Sequence, residues 1–259
     1  MRLSCTTGCV TAWPLRDALP AVRDAGYEAV ELSWAQVERE FIGARDPAAA
    51  LSALLKEHDL TLSSLRVADM TATDQAELGE AVSVIREQME FAPGLGLTAV
   101  SLKGGDRRQQ SLEVLRDGLT AVLRHAEGSG ITICLGNAAG NRIEQIEDLR
   151  WMFLKTGHSR LGVLNDTGQF HASSVNPRDV LREFGDLVGL MHLTDRIGKR
   201  SVPLGEGEMN VPAIVQHARD VGYDGWLVVD ADRPDADGTL GYLCDAQWYL
   251  QSLLAAGAK

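Results

Sequence analysis

Eight short runs rich in valine, isoleucine and leucine alternate with eight stretches of helical period, and this alternation constrains the fold more than any other feature of the chain. The runs are Arg2 to Thr6, Ala29 to Ser33, Thr61 to Val67, Ala99 to Lys103, Ile131 to Gly136, Leu161 to Asp166, Val188 to Leu193 and Trp226 to Asp230. Between them, Leu15, Leu19, Val22 and Ala25 recur at three- and four-residue steps before Gly26, a natural helix stop. Asp46-Pro47 reads as an N-cap followed by proline at the first helical position. Asp74 to Phe91, Ser111 to Ala126, Ile143 to Phe153, Pro177 to Phe184, Val211 to Val221 and Asp237 to Ala255 complete the helical set.

Strands that alternate with helices form parallel sheets, because a parallel pair needs a crossover connection. Eight such units in 259 residues fit one closed (β/α)8 TIM barrel, an α/β fold, as a single domain over residues 1–259. No Pro/Ser-rich linker, low-complexity tract or charge block divides the chain. An open doubly wound sheet is the runner-up, but Thr7-Gly8-Cys9 after the first run is not a G-x-G-x-x-G turn.

Charge and composition exclude several function classes. With 25 Lys+Arg against 36 Asp+Glu, the formal net charge of -11 opposes a non-specific grip on polyanions, so no nucleic-acid partner is expected. Neither a signal-peptide core nor a run of membrane-spanning length is evident, which predicts a cytoplasmic protein with no membrane partner. Cys134 and Cys244 are predicted to be small buried hydrophobes. Cys5 and Cys9 have no second Cys or His pair nearby, so all four are read as reduced thiols.

In a barrel of this kind the strand C-termini form the active face. Asp166, His192 and Asp230 close three successive runs, and two carboxylates with an imidazole suit a divalent cation such as Mn²⁺, Mg²⁺, Co²⁺ or Zn²⁺. Glu31, Arg66, Lys103 and Asn137 close earlier runs. Each has an ordinary structural reading: a Glu31–Arg66 ion pair at the rim, a solvated Lys103, a capping Asn137. The preceding run ends in Gly136, where a fourth ligand would be expected.

Four stretches resemble the xylose isomerase-like barrels, the sugar phosphate isomerase/epimerase superfamily. They are Gly26-Tyr-Glu-Ala-Val-Glu31-Leu, Leu164-Asn-Asp166-Thr-Gly-Gln169-Phe-His171, Met191-His192-Leu-Thr-Asp195-Arg196 with Pro203-Leu-Gly-Glu-Gly-Glu-Met, and Gly222-Tyr-Asp-Gly225 running into Val229-Asp230. The resemblance implies a divalent cation held by Glu, Asp, His and Glu from strands five to eight, with the two Glu moving a proton next to a carbonyl. This chain departs from that pattern. Cys134-Leu-Gly136-Asn137-Ala138 stands where E-N-H is common, Asp230 replaces a Glu, and Gln169 replaces a His, although His171 follows.

The expected function is therefore a divergent isomerase, epimerase or lyase acting by proton transfer next to a carbonyl on a sugar-like, polyol or cyclic small molecule. Asp166, His192 and Asp230 would hold one divalent cation at reduced affinity, with metal-free operation as the alternative. Asp230, His171 or His192 would act on protons, and Arg196 would anchor the substrate, with Lys199 and Arg200 close by. Glu31, Arg66, Lys103, Asn137 and Gln169 would contact it, and Trp13 and Trp34 would stack on it. Gly136 suggests space for a bulkier substrate. The alternative is a non-catalytic or partner-dependent barrel subunit that has lost this chemistry. Leu240, Leu243, Trp248 and Leu250 in the last helix would serve the barrel core or a homo-oligomer interface.

Overall fold

The computed structural model describes residues 1–230 and 236–256. In chain order its elements are β1 (Arg2–Thr6), α1 (Leu15–Asp24), β2 (Ala29–Ser33), α2 (Trp34–Phe41), α3 (Pro47–Glu57), β3 (Thr61–Arg66), α4 (Gln75–Met89), β4 (Ala99–Leu102), α5 (Leu112–Ala126), β5 (Thr132–Gly136), α6 (Ile146–Thr156), β6 (Leu161–Asp166), α7 (Thr167–Ala172), α8 (Pro177–Phe184), β7 (Val188–Leu193), β8 (Asp195–Ile197), β9 (Arg200–Val202), α9 (Val211–Asp220), β10 (Trp226–Val229) and α10 (Ala236–Ala256). Eight parallel strands close a barrel in the order β1-β10-β7-β6-β5-β4-β3-β2. All eight predicted strands are present, three of them one residue shorter at the C-terminal end. The ladder still continues past β10, because Asp230 N donates to Leu193 O at 3.1 Å.

The helix starts follow local chemistry. Asp46 accepts from Ala49 N at 3.0 Å ahead of Pro47. Asp74 accepts from the amides of Ala76 and Glu77, and Ser111 from that of Val114. These bonds satisfy donors that the first helical turn leaves free. Helix α6 begins three residues later than predicted, at Ile146, because Asp148 caps the amides of Glu144 and Gln145. Among the described residues, α2, α7 and the β8–β9 hairpin were not predicted, all inserted after strand C-termini.

Side chains alternate between the barrel interior and the helix layer. Ala99, Cys134, Leu164, Leu190 and Val228 form a compact apolar cluster inside the barrel, against Trp226. Two residues further along the same strands, on the same face, stand Gly136, Asp166, His192 and Asp230. An apolar floor thus carries a polar layer at the strand C-termini. Two register shifts tune that layer. On β3, Ser63 is the extra residue that brings Ser64 opposite Glu31. On β7, Gly189 is the extra residue, and beyond it Asp166 lies opposite His192.

The larger core lies between strands and helices, where Tyr27 and Phe170 are among the largest fully buried side chains. The apolar stripe predicted on α10 divides: Leu243 and Leu250 are buried, Leu240 is half-buried, and Trp248 is 72% exposed. Five residues turn a helix by about 140° beyond one full revolution, which carries Trp248 off the face of Leu243. Cys5, Cys9 and Cys134 are buried and outside any disulfide, whereas Cys244, predicted buried, is exposed. No helix among the described residues is long and apolar enough to cross a membrane.

Candidate active site

Asp166, His192 and Asp230 each turn one ligand-capable atom toward a common point, and those atoms lie within 4.8 Å of one another. The three come from neighbouring strands, β6, β7 and the end of β10, at one level of the barrel. His192 Nδ1 is 3.5 Å from Asp230 Oδ2, and its Nε2 is 3.1 Å from Glu31 Oε2. Glu31 Oε2 also accepts from Ser64 Oγ at 2.6 Å. Glu31 is fully buried, and its Oε1 has no hydrogen-bond partner. The sequence suggested a rim ion pair between Glu31 and Arg66. Instead Glu31 faces inward to His192, while Arg66 lies 4.0 Å from Asp69 at the rim.

Electrostatics follow from this geometry. Burial alone would favour a neutral His192 ring, but the Glu31 charge and the Asp230 hydrogen bond overcome it and push the pKa up to about 10. Burial likewise opposes ionisation of Asp230, yet contact with His192, helped by Lys103 and Arg66, holds its carboxyl below the ordinary value. Glu31 is also lowered: burial opposes its charge and the His192 ring outweighs burial. Without a bound cation the ring is therefore an imidazolium between two carboxylates.

Lys103 completes the arrangement. It follows β4, whose register pairs Ser101 with Cys134 and Leu102 with Leu135, so it stands level with Gly136. Its Nζ is 3.2 Å from Asp166 Oδ2, and its side chain is only 12% exposed, so it is not the solvated lysine of the sequence reading. A Cβ placed on Gly136 would lie 3.3 Å from Lys103 Cγ and 3.4 Å from its Cε. The space expected at Gly136 for a bulkier substrate is filled by the lysine stem. Asp69 Oδ1 accepts from Lys103 N at 3.0 Å and fixes the backbone beneath it.

The remaining predicted residues scatter around this centre. His171 Nε2 is 3.3 Å from Glu208 Oε2, in a side cavity of about 590 Å³ that Arg178, Lys199 and Asn210 also line and that excludes the central cluster. Trp34 is buried in the core, edge-on to Phe91 with ring centroids 5.1 Å apart, so it is a packing residue rather than a stacking platform. Trp13 is half-buried in the segment after β1. Asn137 is fully buried with neither amide atom hydrogen bonded. Gln169 Oε1 accepts from Ala139 N at 3.3 Å, linking α7 to the segment after β5. Arg196 is buried, and its Nη1 donates to Lys199 O at 2.6 Å within the hairpin.

Sequence reasoning missed Ser64 and Asp69, and named Asp195 only as part of a motif, without a role. The serine is placed by a bulge that periodicity does not reveal. Asp195 accepts four backbone N–H bonds, from Arg196, Gly205, Gly207 and Met209, at 2.9 to 3.2 Å. A Cβ on Gly207 would run into the Asp195 carboxylate and the Arg196 carbonyl, which explains the glycine within the G-E-G-E segment. That segment is a loop clamp.

A closed parallel barrel with carboxylates and an imidazole gathered at its strand C-termini defines the class of protein. The chain belongs to the xylose isomerase-like TIM barrel family, which it matches over residues 19–251. An inosose dehydratase of Clostridium beijerinckii is 24% identical over 196 residues, covering 68% of this chain and 65% of that protein. The chain thus spans just under two thirds of that relative's length. Among solved structures, the IolI protein with a bound zinc atom superposes with a TM-score of 0.85 at 17% identity, over 99% of both chains. The probable 3-DHS dehydratase AsbF of Bacillus anthracis gives 0.81 at 14% identity, over 97% of this chain and 99% of that one. At these identities the structural likeness speaks for the shared fold.

Proposed function

We propose that the protein is a lyase or isomerase that removes a proton next to a carbonyl on a sugar-like or cyclic polyhydroxy substrate, with dehydration of a β-hydroxy ketone as the reaction the site suits best. The carrying observation is the His192 cluster: Nδ1 toward Asp230 at 3.5 Å, Nε2 toward Glu31 at 3.1 Å, and Asp166 within reach.

The donor set fits one divalent cation. Bonds of about 2.1 Å place neighbouring ligand atoms roughly 3.0–3.4 Å apart in octahedral or tetrahedral geometry, close to the His192–Asp230 spacing. Glu31 on the far ring nitrogen is the carboxylate that orients a ligating histidine. Asp166, His192 and Asp230 would hold the ion, which when bound polarises the substrate carbonyl and stabilises the negative charge that develops on its oxygen. The His192 proton must leave Nδ1 for that nitrogen to bind.

The chain's own residues define the proton transfer. The Asp230 side chain is 28% exposed, whereas those of Asp166 and His192 are each 3% exposed, so Asp230 is the carboxylate a substrate carbon can reach. It takes the proton next to the carbonyl. Epimerisation at one carbon draws on a second acid/base on the opposite face, and Gly136 provides none. Elimination proceeds once the proton is on Asp230: the C–O bond to the β-hydroxyl breaks, the Asp230 carboxyl returns that proton to the departing oxygen, and water leaves. Similarity to inosose dehydratases supports this choice. Arg66 at the rim and Trp13 after β1 would contact substrate oxygens and ring. His171, bonded to Glu208 in the side cavity, is left out of the proton transfer.

The test is turnover of cyclic and open-chain polyhydroxy ketones by protein loaded with Mn²⁺, Zn²⁺, Co²⁺ or Mg²⁺, compared with Asp230→Asn. Loss of water by wild type and not by the variant supports the reading. Equal turnover by both removes Asp230 from the mechanism.

A further inference from the structure

Lys103 and Gly136 form a matched pair on adjacent strands. The lysine stem crosses the glycine 3.3–3.4 Å from where a Cβ would stand, and Leu164 Cδ2 lies 3.0 Å from that point. The ammonium sits on Asp166 Oδ2 at 3.2 Å, while Asp166 Oδ1 is engaged by Gln169 N at 3.1 Å as the cap of α7. Oδ2 is therefore the oxygen over which Lys103 and any added cation must compete. Where a fourth, anionic ligand would have made the cluster more negative, the chain places a positive charge.

We infer that Lys103 is a tethered cation built into the site: it takes the side that Gly136 leaves bare, competes with a divalent ion for Asp166, and presents its ammonium to the substrate oxygen that becomes charged. This rests on the reading of the Asp166 cluster as the catalytic centre. The bare glycine and the lysine are on this account one device. The stem packs over the bare glycine, and the charge replaces part of what the missing ligand would have helped a metal supply. The ammonium arrives with no entropy of capture, since its backbone is held by Asp69 and its stem is packed.

The experiment is Mn²⁺ binding to chelator-stripped protein, read from the free-ion electron paramagnetic resonance signal, in wild type, Lys103→Met, Lys103→Gln and Lys103→Arg. Loss of a charge-assisted bond to Asp166 is expected to tighten Mn²⁺ binding about tenfold or more in the two neutral variants, with Lys103→Arg close to wild type. Asp166→Asn should abolish the tightening, which places the effect at this site. In a turnover assay at saturating metal, the neutral variants should lose at least about tenfold in kcat, the opposite direction to their affinity. Lys103→Gln retains hydrogen bonding to Asp166 and serves if Lys103→Met unfolds. Unchanged or weaker Mn²⁺ binding in the folded neutral variants overturns the inference. The binding arm needs no substrate, so tighter binding without turnover of any polyhydroxy ketone would sink the proposed function and leave Lys103 only as the competitor of the divalent ion at Asp166. Turnover without an affinity change would do the reverse.

Discussion

His192 Nε2 lies 3.1 Å from Glu31 Oε2, a contact that crosses the barrel interior from β7 to β2, strands separated in the sheet by β10 and β1. The bond leaves Nδ1 directed at Asp230 and so decides which nitrogen faces the cluster. Replacing Glu31 by Gln keeps the shape but removes the charge that orients and polarises the ring. Affinity for Mn²⁺ should fall by about 10–100-fold while the barrel stays folded. Titration of the stripped variant against wild type checks this, and equal affinities would show that Glu31 does not govern the ring.

Asp230 and His171 were both read from the sequence as proton-transfer residues, and the structure separates them. Asp230→Asn should reduce kcat by about 10²–10⁴-fold, the range of a lost general base. His171→Ala should leave kcat within about threefold, because its ring is paired with Glu208 away from the cluster. Steady-state kinetics on one substrate distinguishes the two outcomes.

The buried triad makes metal-free stability depend on pH in both directions. His192 is raised from 6.5 to about 10, so its contribution is complete below 6.5 and is lost as pH rises toward 10. Glu31 and Asp230 are lowered from 4.5 and 3.8, so their contributions are complete above those values and are lost as pH falls below them. Urea unfolding of the stripped protein should show its best stability between about pH 4.5 and 6.5 from these groups. His192→Asn should flatten the alkaline limb, and an unchanged limb would show that another group causes it.

Asp195 should prove structural. Its replacement by Ala leaves four backbone donors without their shared acceptor, and the cost should be at least about 3 kcal/mol in urea unfolding. Gly207→Ala should destabilise the same loop by driving a methyl group into that carboxylate. A loss under about 0.5 kcal/mol in either variant would show that the loop holds without the clamp.

Much of this was legible in the chain. Strict alternation of apolar runs and helical periods defines the barrel, and strand parity places Asp166, His192 and Asp230 on one face two residues beyond Leu164, Leu190 and Val228. The partners of these residues were not legible. Glu31 meets His192 only because the sheet closes on itself, and Ser64 meets Glu31 only because β3 carries an extra residue at Ser63. Gly136 was visible as an absence, but its filling by Lys103 depends on cross-strand register and side-chain direction, which periodicity does not carry. Trp34 follows β2 as a pocket aromatic would, yet it opens an amphipathic helix whose buried face draws it into the core against Phe91.

The most direct test of the account is metal-dependent water loss from a cyclic polyhydroxy ketone by the wild-type protein. Stripped protein should be inactive, and activity should rise in proportion to Mn²⁺ until one equivalent is bound, with Asp166→Asn and Asp230→Asn inactive throughout. Full turnover by stripped protein, with no metal found by elemental analysis, would contradict it.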